Sequence, residues 1–208
     1  RFVDLFCGIG GFHLAAQVAA GDLGIKALCV FASDIDPDCR DSYEANFGIK
    51  PAGDITEIPE KSIPDHDFLF AGFPCQSFSI CGDRKGFEDA RGTLFFDIAR
   101  ILKEKRPTAF LLENVKQLGS HDHGRTLRHI MRILESLGYH SQHRVLNALH
   151  FGLPQKRERI FIVGFREPRF FNWPRGIGPM KSLCQVLESE VPEFYYASHQ
   201  IRENRLKK

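Results

Sequence analysis

Phe2-Val3-Asp4-Leu5-Phe6-Cys7-Gly8-Ile9-Gly10-Gly11-Phe12 is the stretch that decides the fold. An apolar run of strand character passes into a turn with three glycines and then into a stretch that reads as a helix. A glycine turn between a strand and a helix N-terminus is how a βαβ unit brings backbone N–H groups to the carboxyl edge of a parallel sheet. Such a turn admits a ligand close to the backbone, but it serves plain helix–strand packing equally well, so both readings stand at this point. Outward from it, short runs rich in β-branched and aromatic residues alternate with longer amphipathic stretches. Strands are expected at residues 2–6, 27–32, 67–71, 109–112, 143–147 and 159–165, and helices at 12–20, 38–46, 94–105 and 125–137. That alternation specifies an α/β fold with a mostly parallel sheet and helices on both faces.

The pattern breaks after Phe165, where Pro168, Pro174, Gly176, Gly178 and Pro179 interrupt any period. Residues 1–167 are therefore expected to form the main domain and residues 168–208 a polar linker or tail. A chain of 208 residues is long enough for one self-sufficient core, burying roughly 70% of its unfolded surface. No apolar run approaches the ~18 residues of a membrane span, and no signal peptide is visible, so a soluble, cytoplasmic chain is expected. The first residue is Arg1, and this reading allows for a short leader ahead of it.

Six cysteines without a CxxC pair argue against a disulfide framework or a thiolate zinc site. His121 with His123, and His140 with His143, have no cysteine or glutamate at ligand spacing, so no metal is expected. A net charge of +2 does not by itself announce a nucleic-acid partner, because clustering matters more than the total. Lys103, Lys105 and Arg106 form one cluster, Lys156, Arg157 and Arg159 a second, and Arg202, Arg205, Lys207 and Lys208 a third. The first and last read as solvated surface.

Four further places carry chemistry. Ser33-Asp34-Ile35-Asp36 ends the second strand, where α/β folds place an acid that hydrogen-bonds ribose hydroxyls. Asp34 is the better ribose candidate, since one of these acids can instead cap the helix that begins near Pro37. The third strand runs into Gly72-Phe73-Pro74-Cys75-Gln76-Ser77-Phe78-Ser79, which puts Cys75 in a loop at a strand's carboxyl end. Its polar, turn-forming neighbours favour an accessible thiol over a buried one, as a nucleophile requires. The segment 80–92, with Arg84, Lys85 and Arg91, reads as a mobile, positively charged lid. The fourth strand delivers Glu113 at its exit, and Gln155-Lys156-Arg157-Glu158-Arg159 leads into the last strand, so a cysteine, a glutamate and two arginines are expected to converge at one sheet edge.

Taken in order, these motifs resemble the bacterial C5-cytosine DNA methyltransferases of restriction–modification systems, of the HhaI type, across almost the whole chain. The matching stretches are DLFCGIGGF (residues 4–12), GDIT (53–56), AGFPCQSFS (71–79), KGFEDARGTLFFDIAR (85–100), ENV (113–115) and PQKRERI (154–160). The resemblance implies a Rossmann-like fold that uses S-adenosyl-L-methionine. It places Gly8, Gly10, Phe12, Asp34, Ile35, Asp54, Ile55, Pro74 and Leu94 at the cofactor. Two positions depart from the family's habit: Asp34 stands where a longer glutamate is common, and Ile35 where a tryptophan often packs on adenine.

The implied chemistry suits these groups. Carbon 5 of cytosine is a poor nucleophile, and addition of the Cys75 thiolate at C6 makes C5 enamine-like. Glu113 is expected to hydrogen-bond or protonate N3, and Arg157 and Arg159 to stabilise the adduct's charge or hold phosphates. The target base must leave the duplex, and Gln76, Ser79 and Arg91 are expected to contact DNA around it. The family also carries a target-recognition region and two further motifs beyond the stretch matched here. The expected partners are thus double-stranded DNA and a second polypeptide, or a continuation of this one, that carries the recognition region. A catalytically silent regulatory subunit and a tRNA cytosine-5 methyltransferase are the alternatives, and the glycine turn alone leaves a dinucleotide oxidoreductase.

Overall fold

The computed structural model describes residues 1–74, 94–176 and 180–206, and the chain divides into two compact units. The first, Arg1–Asn147 with Glu158–Pro174, is built on one six-stranded sheet. Its strands are β1 (Phe2–Leu5), β2 (Cys29–Ser33), β3 (Phe68–Gly72), β4 (Ala109–Val115), β5 (His140–Asn147) and β6 (Glu158–Phe165), in the order β2-β1-β3-β4-β6-β5. The pairs β1–β2, β1–β3 and β3–β4 are parallel, whereas β6 runs antiparallel to both β4 and β5. Five strands therefore share one direction, and β6 opposes them because a short connection from β5 can return only antiparallel. β2 and β3 lie on opposite sides of β1, so the strand order reverses there. In such sheets ligands sit outside the carboxyl ends at that reversal.

Alternation along the strands builds two cores. On one face Val3, Leu5, Leu69, Ala71, Phe110, Leu112 and Ile162 pack with Phe95, Ile98, Ile101 and Leu102 of α3 (Leu94–Lys105), and with Leu127, Ile130, Ile133 and Leu134 of α4 (Arg125–Ser136). On the other face Phe2, Cys29, Ala32, Phe68 and Phe70 pack with Ala16 of α1 (Gly11–Asp22) and with Tyr43 and Phe47 of α2 (Pro37–Phe47). Each fully buried leucine, isoleucine or phenylalanine contributes about 1.5–3 kcal/mol. α2 has clear stops: Asp36 caps it by accepting from the Asp38 and Cys39 N–H groups, Pro37 opens it, and Gly48 at φ 68° ends it.

Two expectations need correction. β4 does not stop at Leu112 but continues to Val115, because Asn114 and Val115 pair with Ile160 and Arg159 of β6. Glu113 is therefore a strand residue, opposite Gly72 of β3, rather than one just past a strand. The tail also contains a helix, α5 (His199–Leu206), that its polar sequence does not announce.

The second unit comprises Ala148–Arg157 and Arg175–Lys208. It consists of 3-10 turns at Ala148–Phe151, Leu183–Gln185 and Glu193–Tyr195, followed by α5. The Lys181 N–H donates to the Gly152 carbonyl at 3.0 Å, Ser182 and Gln185 form a capping box, and the Arg202 guanidinium lies 5.0 Å from the Tyr196 ring centre. None of its described residues is buried. No helix among the described residues is long and apolar enough to cross a membrane.

Candidate active site

The carboxyl ends of β1, β2, β3 and β4 carry most of the residues singled out in the sequence. After β1 the backbone turns sharply through Phe6 (φ 54°), Gly8 (φ 52°) and Gly10 (φ 93°). Gly10 is required by packing as well as conformation, since a Cβ there would lie 2.0 Å from the Phe47 ring. Among the described residues a Cβ at Gly8 would meet nothing within 4 Å, so they leave the backbone open to an approaching ligand at that point. The turn is braced by Asp34, whose Oδ2 accepts from the Gly8 N–H at 2.7 Å while Oδ1 accepts from the Asp36 N–H at 2.9 Å. Asp36 is the helix cap, and Ile35 between them is 71% exposed.

β2 is extended by a parallel bridge from Ser33 to Ala52, with the Asp34 N–H donating to the Ala52 carbonyl at 3.0 Å. This brings residues 52–55 beside Asp34. Asp54 caps the next turn, accepting from the Thr56 N–H at 2.9 Å and the Thr56 hydroxyl at 2.8 Å. Ile55 is buried, and its carbonyl accepts from Arg100 of α3 at 2.7 Å. Arg100 also pairs with Asp97 and Glu60, each at 2.9 Å, so it clamps this loop to the helix. Sequence reading gave Arg100 no role, although it ends the matched stretch that begins at Lys85.

At the end of β3 a small notch forms around Gly72. A Cβ there would lie 3.8 Å from Glu113 Oε2, 3.8 Å from the Phe6 carbonyl oxygen and 3.9 Å from the Phe12 ring. Phe12 stacks on Phe70 with ring centres 5.1 Å apart. Glu113 is paired with Arg159 of β6, Nε to Oε1 at 2.9 Å, each side chain about one quarter exposed (22% and 24%). Next along β4, the buried Asn114 donates from its amide to the Phe73 carbonyl at 2.9 Å, and its own oxygen accepts from the Val115 N–H at 2.8 Å. Asn114 thus ties β4 to the residue two positions ahead of Cys75, a role its place between Glu113 and Val115 hinted at but did not reveal.

Pro74 is exposed and Leu94 opens α3, the two marking either end of the segment between them. Cys75, Gln76, Ser79, Arg91 and the expected lid at 80–92 lie outside the described residues. Arg157 belongs to the second unit, where it is exposed and its carbonyl accepts from the Ala148 N–H at 3.0 Å.

Sequence reading missed Asp4. It is fully buried on β1, and neither carboxylate oxygen reaches hydrogen-bond geometry with a partner in the described structure. Burial pushes its carboxyl well above the usual range, the His13 backbone N–H opposes this in part, and the Asp34 charge adds to it. The signal was an acid alternating into an otherwise apolar strand. Beside it His13 shares a 2.6 Å hydrogen bond with the Tyr43 hydroxyl, and burial pushes the Cys7 and Cys29 thiols up.

The chain is similar to known proteins along almost its whole length. A family model described as C-5 cytosine-specific DNA methylase matches residues 1–207. The chain is 52% identical over 208 residues to the type II methyltransferase M.HaeII of Haemophilus aegyptius, covering 99% of this chain and 64% of that protein. It is 54% identical over 166 residues to M.HhaI of Haemophilus parahaemolyticus, covering 80% of this chain and 49% of that protein. The crystal structure of the S. pombe Dnmt2 methyltransferase superposes over 100% of this chain and 66% of its own, with a TM-score of 0.73 at 24% identity, a likeness of fold. The chain thus spans roughly half to two thirds of the length of these curated relatives, 49% and 64%.

Proposed function

The chain belongs to the C-5 cytosine-specific DNA methylase family, and from that premise we propose that it is the catalytic part of a DNA (cytosine-5)-methyltransferase of a restriction–modification system. The observation that carries this reading is the arrangement at the end of β4. Glu113 is fixed by Arg159 at 2.9 Å, and Asn114 is bonded to the residue two positions before Cys75. A carboxylate and a thiol bound for opposite edges of one pyrimidine ring need this kind of mutual anchoring.

The residues present fit S-adenosyl-L-methionine. Among the described residues open space stands over Gly8, Asp34 holds the turn and is assigned to ribose, Phe12 offers a ring face beside Gly72, and Asp4 is a fully buried carboxyl whose oxygens meet no hydrogen-bond geometry. Ile35, Asp54, Ile55, Pro74 and Leu94 complete the proposed lining, with Gly10 holding the turn. When bound, the cofactor supplies a methyl group activated on a sulfonium.

In the proposed reaction the Cys75 thiolate forms a bond to C6 of a flipped-out cytosine, and Glu113 meets the N3 edge, where negative charge develops. C5 takes the methyl group, which would leave the donor as a neutral thioether, and then gives its proton to water as the C6–S bond breaks to return the thiolate. Arg159 orients Glu113, Arg157 is assigned to phosphate, and Gln76, Ser79 and Arg91 to the strand around the target. The rest of the relatives' length is proposed to supply target recognition, in continuation of this chain or on a second polypeptide.

Methyl transfer from labelled S-adenosyl-L-methionine to mixed-sequence duplex DNA tests the reading, together with adduct formation on DNA containing 5-fluorocytosine. Turnover is expected when a recognition region is supplied, with little by this chain alone, and Cys75→Ala is expected to abolish both turnover and adduct. Adducts with RNA only, or none with any substrate while the chain still binds a catalytic partner, would overturn it.

A further inference from the structure

α4 carries a row of basic side chains on its exposed side. Its buried side is Thr126, Leu127, Ile130, Ile133 and Leu134, and its exposed side presents Arg125, Arg128, His129 and Arg132. The spacing i, i+3, i+4, i+7 places all four on one face. The one acid of the helix, Glu135, comes after all of them, and no acid stands in the first turn.

Arg125 pairs with Asp122, and Arg128 reaches the His123 carbonyl at 3.2 Å. Among the described residues His129 and Arg132 make neither an ion pair nor a hydrogen bond. Like charges at i and i+4, as in Arg128 and Arg132, repel. Cations in a first turn sit at the positive end of the helix dipole. The repulsion between Arg128 and Arg132 would be relieved by an anion lying against both.

The position of the stripe fits an anion that extends away from the candidate site. β4 carries Glu113, and only the turns at Lys116–Gly124 separate its end from α4. α4 therefore starts at the carboxyl edge and runs back along the sheet. From Arg125 to Arg132 is seven residues, about 10 Å of helix. One strand of duplex DNA presents a phosphate every ~3.4 Å of axis, so the row spans about three phosphate-to-phosphate intervals.

We propose that the exposed face of α4 binds the phosphate backbone of the duplex flanking the target base, with Arg128 and Arg132 as its principal contacts. The proposal rests on the DNA methyltransferase reading and adds to it a backbone-contact surface remote from the reacting atoms. Such a surface carries affinity without sequence information.

The test is duplex binding by the full chain at several NaCl concentrations, for the wild type, Arg128→Gln/Arg132→Gln and Arg128→Lys/Arg132→Lys. Each lost phosphate contact lowers the slope of log affinity against log salt by about 0.9. The glutamine pair is expected to lower the slope by about 2 and weaken binding at least about tenfold at low salt, with the lysine pair close to wild type and S-adenosyl-L-methionine binding equal in all three. Equal slopes for wild type and the glutamine pair would overturn the stripe alone. A wild-type chain that binds no duplex at any salt would also overturn the stripe, whereas the reading on which it rests falls only if no adduct forms on 5-fluorocytosine DNA with a recognition region supplied.

Discussion

Burial holds the Asp4 carboxyl well above the ordinary carboxylate range, the His13 N–H opposing and the Asp34 charge adding to the effect. An aspartate in the unfolded chain titrates near ~3.9, so between that value and the folded one the unfolded state releases a proton that the folded state keeps. Stability from this group is therefore fully present below about pH 4 and is lost as pH rises through the folded value. Asp4→Asn removes that dependence. Urea unfolding of cofactor-free protein should show the variant gaining on wild type as pH rises above about 4, and parallel pH profiles would show that the charge is compensated. The chemistry-bearing residue types were legible in the chain because each stands where an apolar strand gives way to turn-forming or polar residues, as Asp34 and Glu113 do. Asp4 and Asn114 were not. Their importance lies in burial and in a bond across 41 residues, from Asn114 to Phe73, which local pattern does not carry.

The glycine turn shows how one element fixes another. Gly10 faces the Phe47 ring of α2 at 2.0 Å from an added Cβ, whereas Gly8 faces open space, although both have positive φ. Gly10→Ala should therefore cost about 2–4 kcal/mol, from overpacking and left-handed strain together. Gly8→Ala should cost about 1 kcal/mol while weakening cofactor binding. Pairing Gly10→Ala with Phe47→Ala should recover part of the loss in a double-mutant cycle by chemical denaturation, and strictly additive losses would refute the contact. The expected helix at residues 94–105 coincides with α3 and the other three fall within a few residues of theirs, because each has a strong apolar stripe or a clear stop such as Asp36 and Gly48. The end of β4 escaped the reading since its last two residues are held by β6, a partner more than 40 residues away. α5 escaped because eight residues with only Ile201 and Leu206 apolar are too few, and too lacking in an apolar face, to be distinguished from a tail.

Across the molecule, burial is confined to the first unit: every buried residue described belongs to its sheet, its four helices or the loops between them, and the second unit supplies none. Amide hydrogen exchange should divide along the same line. β1, β3 and β4 should be protected close to the global unfolding limit, while α5 and the turns at Leu183–Gln185 and Glu193–Tyr195 exchange orders of magnitude faster. Comparable protection in α5 would mean that the second unit has stability of its own. The sheet's two borders are finished in different ways. At β2 the backbone is extended by the bridge to Ala52, whereas at β5 the border shows His140, His143 and Arg144 exposed. Unpaired strand borders invite edge-to-edge stacking between copies, and positive charge along them is a standing deterrent. The guanidinium of Arg144 stands on that border and opposes such stacking between copies.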